Sequence, residues 1–151
     1  MPLIIEIADE QQAHTAEHSR LKKAVRLVLG DAGIERGEIS IAIIDDARMH
    51  ALNRQYLQHD YPTDVLSFVL ERDEEQKTLD GEIIVSADYA AREAPRYGWT
   101  ADDELLLYVI HGCLHLIGHD DQSAAGLAAM RAAESQHLAR FGLTHRFDTN
   151  P

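Results

Sequence analysis

Cysteine is almost missing from this chain of 151 residues: Cys113 is the only one. No disulfide within the chain is possible, so nothing points to an oxidising compartment. Long apolar runs are missing too. The longest, Leu105 to Ile110, is far short of the roughly 20 residues a membrane-spanning helix needs, so no membrane partner is expected. The start, Met1-Pro2-Leu3-Ile4-Ile5-Glu6, turns acidic too soon for a signal peptide, and the expected location is the cytoplasm. Positive charge is scarce, with 14 basic residues against 26 acidic and a formal net charge of −12. Such a field repels nucleic acid and anionic lipid at long range, so a polyanionic substrate would need a local basic patch or a metal ion. Repeats, low-complexity tracts and long linkers are also absent. A hydrophobic fraction of 45% fits a single folded domain spanning residues 1–151.

Several segments carry clear periodicity. Leu3 to Ile7 alternates weakly, as an edge strand would. Leu21, Ala24, Val25, Val28 and Leu29 share one helical face, with Gly30 or Gly33 as a stop. The cations Arg20, Lys22, Lys23 and Arg26 lie opposite, on a solvated face or an RNA-backbone contact. Glu38 to Ile44 reads as a strand, and Asp45-Asp46 opens a helix through Met49, Leu52 and Tyr56. Val65–Leu70 and Gly81–Val85 read as two more strands, with Glu71 to Asp80 as a charged hairpin loop between them. Ser86 to Ala94 reads as a helix ended by Pro95. Thr100 and Asp103 form a capping pattern for a helix running to about Ile117 and ending at Gly118. That helix is apolar almost all round, so it should cross the middle of the domain. A last amphipathic helix carries Leu127, Met130, Leu138 and Phe141. The expected class is α+β, with a mixed sheet of about four strands packed with helices around a central metal-binding helix.

The chemistry concentrates at the end of that central helix. His111 and His115 are four residues apart, so at about 100° per residue they point the same way, roughly 6 Å apart along the axis. Imidazoles on so apolar a helix need partners, and two so placed can bracket one ion at about 2.0–2.1 Å each. A third ligand must come from His119, Asp120 or Asp121. Gly118 lets the chain turn through positive φ, after which Asp121 can fold back onto the histidines. Two histidines and a carboxylate leave a fourth position open, as in a catalytic zinc site. Zinc peptidases with an H-E-x-x-H helix place a glutamate base after the first histidine, but Gly112 stands there. Cys113 faces away from the pair and reads as a small core residue. Asp120 and His119 are the nearest candidates for proton transfer, with orientation of a histidine as the other role open to Asp120.

The segment HGCLHLIGHDD, His111 to Asp121, resembles the YbeY family signature H-G-x-L-H-L-x-G-Y-D-H. LNRQYLQHDYPTDVLSF, Leu52 to Phe68, resembles its second motif, L-N-x-x-Y-R-x-x-D-x-P-T-D-V-L-S-F, and Gly81-Glu82-Ile83 matches its G-D/E-I strand. The resemblance implies a zinc-dependent, single-strand-specific endoribonuclease with one zinc per chain. Its implied partners are rRNA and the ribosome, and its implied roles are maturation of the 3′ end of small-subunit rRNA and ribosome quality control. By position, Asp121 takes the place of the family's third histidine, His119 that of its tyrosine and Leu57 that of its arginine. Asp64 and Ser67 are expected to line the substrate cleft. Two alternatives stand beside this reading: a non-catalytic, metal-stabilised ribosome-associated factor, and a metal-dependent hydrolase of another phosphoester.

Overall fold

β-Branched and apolar residues on alternate positions make the sheet two-faced, and that alternation decides where each helix packs. The computed structural model describes residues 3–57 and 65–145, excluding the side chains of 56 and 57. The strands are β1 (Leu3–Asp9), β2 (Gly37–Ile44), β3 (Val65–Asp73) and β4 (Thr78–Ser86), in the order β1-β2-β4-β3. β1 and β4 both run parallel to β2, and β3 runs antiparallel to β4, so the sheet is mixed. Ile39, Ile41, Ile43, Ile83 and Val85 point into the main core, together with helices α1 (His18–Asp31), α3 (Ala87–Glu93) and α4 (Ala101–Leu116). Ile44, Leu66 and Ile84 point to the other face, where Met49 of α2 (Asp46–Leu52) covers them. Helix α5 (Ala124–Ala139) packs on α4 through the core residues Met130 and Leu138. The α+β reading with a four-stranded mixed sheet is the architecture observed.

The central helix forms as expected. Thr100 accepts from the Asp103 amide while the Asp103 carboxylate accepts from the Thr100 amide, each at 3.1 Å, a complete capping box. Between Leu105 and Leu116 every residue except His111 and His115 is buried.

Three local expectations need correction. Residues 71–80 are not a loop, because both strands run on and the connection is only 74–77. Backbone pairing carries this arm, with a register shift between Val69 and Glu71, and its charged side chains face water on the edge strand. Leu79 is fully buried within it. Pro95 does not end the helical path. It sits in the first turn of a 3₁₀ segment, Ala94–Tyr97, where its missing N–H costs nothing, and the chain stops at Gly98, φ 76°. The helix expected to run through Tyr56 leaves α geometry at Leu52 and continues as a π-helical segment, Asn53–Leu57.

On α1, two of the four cations sit in intramolecular contacts. Arg20 pairs with Asp103 at 3.0 Å, and the Lys23 ammonium lies 5.7 Å from the centre of the Phe141 ring.

Gly112 is where α4 touches the sheet. A Cβ there would meet Ile83 Cγ2 at 2.9 Å and Val65 Cγ2 at 3.4 Å. Gly112→Ala gains about 1 kcal/mol of helix propensity, whereas overpacking costs about 1–3 kcal/mol. A net loss of about 1 kcal/mol is expected in urea unfolding of the metal-free protein. An unchanged or higher midpoint would mean that the helix can lift off β4 without penalty.

Candidate metal centre

With Gly112 and Leu116 against the sheet, His111 and His115 are rotated about 100° away from it, onto a partly open flank of α4. Their side chains keep 21% and 30% exposure, enough for one side of the pair to reach water. The rings stand at 78° with centroids 4.6 Å apart, and the two Nε2 atoms approach to 3.0 Å.

Both Nδ1 atoms are engaged. His115 Nδ1 lies 3.0 Å from the His119 carbonyl oxygen, which can only accept, so this nitrogen carries the proton. His111 Nδ1 lies 2.6 Å from Glu134 Oε2, and His145 Nε2 lies 2.7 Å from Glu134 Oε1. Burial pushes the Glu134 carboxyl up, but hydrogen bonds from His111 and His145 outweigh it and hold the group below its ordinary range. Glu134 is therefore ionised, and both imidazoles donate to it.

A neutral imidazole protonated on Nδ1 carries its lone pair on Nε2, so with both rings in that form two Nε2 lone pairs would face each other. That contact is repulsive unless a cation or a shared proton lies between them.

The turn after α4 brings the third group. Gly118 has φ 105°, its N–H donates to the His115 carbonyl at 3.0 Å, and the His119 N–H donates to the Leu114 carbonyl at 2.9 Å. This pair of bonds is a Schellman motif. The chain then doubles back, and Asp121 Oδ2 lies 3.4 Å from both Nε2 atoms. The donor edges of 3.0, 3.4 and 3.4 Å compare with roughly 3.3–3.4 Å for a tetrahedron with bonds of 2.0–2.1 Å. These three side chains could hold a metal ion, and no other group of three His, Cys, Asp or Glu among the described residues is so arranged.

The remaining sequence candidates fall as follows. His119 contributes its carbonyl oxygen to His115, and its half-buried side chain is not among the three donors. Asp120 is exposed, and its Oδ1 accepts from the Gln122 N–H at 2.8 Å. The carboxylate that holds a histidine is thus Glu134, not Asp120. Ser67 shares its strand face with Val65, which packs at Gly112, so it lies on the α4 side of β3. Asp64, Thr63 and the side chain of Leu57 lie outside the described residues. Cys113 is fully buried and its thiol is pushed up by burial, as a core residue would be. Sequence reading missed Glu134 and His145. One signal existed: Glu134 interrupts the apolar positions Met130 and Leu138 at four-residue spacing, which puts a charge on the packing face of α5.

An α+β fold with two histidines and a carboxylate converging at the end of a buried helix defines a small protein with a side-chain group that could hold a metal ion. The chain belongs to the endoribonuclease YbeY family, whose model matches residues 6–142. It is 46% identical over 113 residues to an endoribonuclease YbeY of Rhodopirellula baltica, covering 74% of this chain and 57% of that relative. It is 41% identical over 131 residues to the endoribonuclease YbeY of Desulfitobacterium hafniense, covering 82% of each. A solution structure from Thermotoga maritima shares the fold at TM-score 0.60 and 24% identity, over 98% of both chains.

The geometry separates His119 from Asp121 by experiment. Asp121→Asn should reduce affinity for zinc by more than the roughly 10–100-fold that loss of an outer hydrogen-bond partner costs. Asp121→His should keep the metal. His119→Ala should leave metal content nearly intact, because the backbone carbonyl on His115 survives. Loss of metal in His119→Ala but not in Asp121→Asn would overturn the assignment.

Proposed function

We propose that this chain is a zinc-dependent endoribonuclease specific for single strands, a cytoplasmic single-domain protein over residues 1–151. It acts in maturation of the 3′ end of small-subunit rRNA and in ribosome quality control, with rRNA and the ribosome as partners. One zinc per chain is held by His111, His115 and Asp121. The observation that carries the reading is the pair of Nε2 atoms 3.0 Å apart with one carboxylate oxygen 3.4 Å from each, in a member of an endoribonuclease family.

Zinc bound there supplies Lewis-acid polarisation of a phosphoryl oxygen. The chain's own residues do the rest. Glu134 and the His119 carbonyl fix the two rings, so no reorganisation is needed when substrate arrives. His119 and Asp120, adjacent to Asp121 in the turn, are the candidates for moving protons at the attacking and leaving oxygens. In this reading Asp64 and Ser67, both within the family's second motif, line the RNA path. Gly112 rules against a peptidase of the H-E-x-x-H type, since the side chain of a glutamate there would run into Ile83.

One feature favours a second reading, a non-catalytic ribosome-associated factor that keeps the metal for stability. Leu57 stands where the family motif carries an arginine, the natural clamp for a phosphodiester.

Purified protein, incubated with a single-stranded RNA and with its duplex, decides between them. Cleavage confined to the single strand, lost with a chelator and restored by zinc, is expected. Leu57→Arg is expected to raise the rate by about 10-fold or more, given what one placed donor contributes to a transition state. Zinc-loaded, folded protein that leaves RNA intact supports the non-catalytic reading, and cleavage of a simple phosphoester alone supports a different hydrolase.

A further inference from the structure

Glu134 is an expensive residue for its position. Its side chain is only 6% exposed, between Met130 and Leu138, where an apolar residue would complete the packing face of α5. Buried ionic groups are poor contributors to stability, and well-packed apolar replacements are often neutral or stabilising. A purely structural account therefore leaves the charge unexplained. Its two hydrogen bonds supply the explanation, because one reaches His111 Nδ1 at 2.6 Å and the other reaches His145 Nε2 at 2.7 Å.

His145 arrives by a turn of its own. Gly142 has φ 75°, its N–H donates to the Ala139 carbonyl at 3.1 Å, and the Leu143 N–H donates to the Leu138 carbonyl at 3.1 Å. This second Schellman motif folds the chain back along α5. The His145 side chain ends fully buried against Glu134, eleven residues earlier.

We propose that Glu134 and His145 are positioning residues for the metal centre, a buried relay that holds His111 with Nδ1 protonated and Nε2 aimed at the ion. The inference rests on the zinc reading given above. Glu134 fixes the ring and makes it a stronger donor. His145 occupies the second carboxylate oxygen, so the carboxylate cannot rotate away. The C-terminal segment thereby sets how tightly a site 24 to 34 residues earlier holds metal.

The test uses the full chain, stripped of metal, with zinc affinity read by chelator competition and the ligand field read from the visible spectrum of the cobalt(II) form. Thermal unfolding of the metal-free protein reports structure separately. Glu134→Gln should weaken zinc about 10–100-fold and shift the cobalt bands. His145→Phe keeps the ring volume and removes the donor, and should weaken zinc about 3–10-fold. His145→Gln keeps an N–H for Oε1 and should return to within about 2-fold. Combining Glu134→Gln with His145→Phe should add no more than about 2-fold to the first change, since His145 acts through Glu134. Should Glu134→Gln fail to fold, the Phe and Gln variants at His145 decide alone. Zinc affinity and cobalt bands unchanged in these variants, with only thermal stability altered, would overturn the relay. His111→Ala separates the two proposals: if it still binds zinc, the metal centre itself is misassigned. If it loses zinc while Glu134→Gln and His145→Phe do not, only the relay falls.

Discussion

Gly112 allows α4 to lie directly on β4, and the site follows from that contact. With positions 112 and 116 turned to the sheet, positions 111 and 115 must leave it at about 100°, on the flank that α5 approaches. The same rotation puts Ile110, Cys113 and Leu114 into the core, where each is almost wholly buried. A longer side chain at 112 would lift the helix from Ile83 and rotate or displace both histidines together. The close approach that packs the fold is thus also what aims the two imidazoles, and it removes the position at which a zinc peptidase would carry its base.

How much of this was legible in the sequence depends on how local the determining interactions are. The capping box at Thr100, the apolar circumference of α4 and the stop at Gly118 involve residues within a few positions of one another, and all three could be read directly. The return of Asp121 to the two imidazoles was legible for the same reason, since a glycine-allowed turn needs only the next three residues. The arm of the β3–β4 hairpin was not. Its charged composition reads as loop, whereas its conformation is set by pairing with the facing strand. Glu134 is 23 residues from its imidazole partner, and no periodicity near His111 announces it. What the sequence did contain was a lone carboxylate between Met130 and Leu138, and a buried charge requires a partner somewhere.

Electrostatics pull the site in two directions. The chain is acidic overall, and Asp121 brings a further negative charge to the donor set where the family signature has a neutral histidine. Glu134 adds another just behind it. Each carboxylate strengthens the hold on a cation, and each lowers the attraction the loaded site exerts on a phosphodiester. With a metal ion held there, tight metal binding and strong anion binding would trade against each other. Any basic contribution has to come from residues around the cleft rather than from the donors. In the family's second motif that contribution is an arginine, and Leu57 stands at its position.

The two histidines are held by different means. The acceptor on His115 is the His119 carbonyl, fixed by the Schellman turn that ends the same helix, so α4 and its own C-terminus suffice to orient it. The acceptor on His111 is a carboxylate on α5, itself pinned by a residue that a second Schellman turn carries back. One turn geometry is thus used twice, first to return Asp121 onto α4 and then to return His145 onto α5. Orientation of His115 is a local property of the chain, whereas orientation of His111 exists only when α5 is docked. A metal ion bound by both rings would consequently stabilise the docked state of α5 over its detached states, because binding energy available only to the assembled site is added to the packing of Met130 and Leu138.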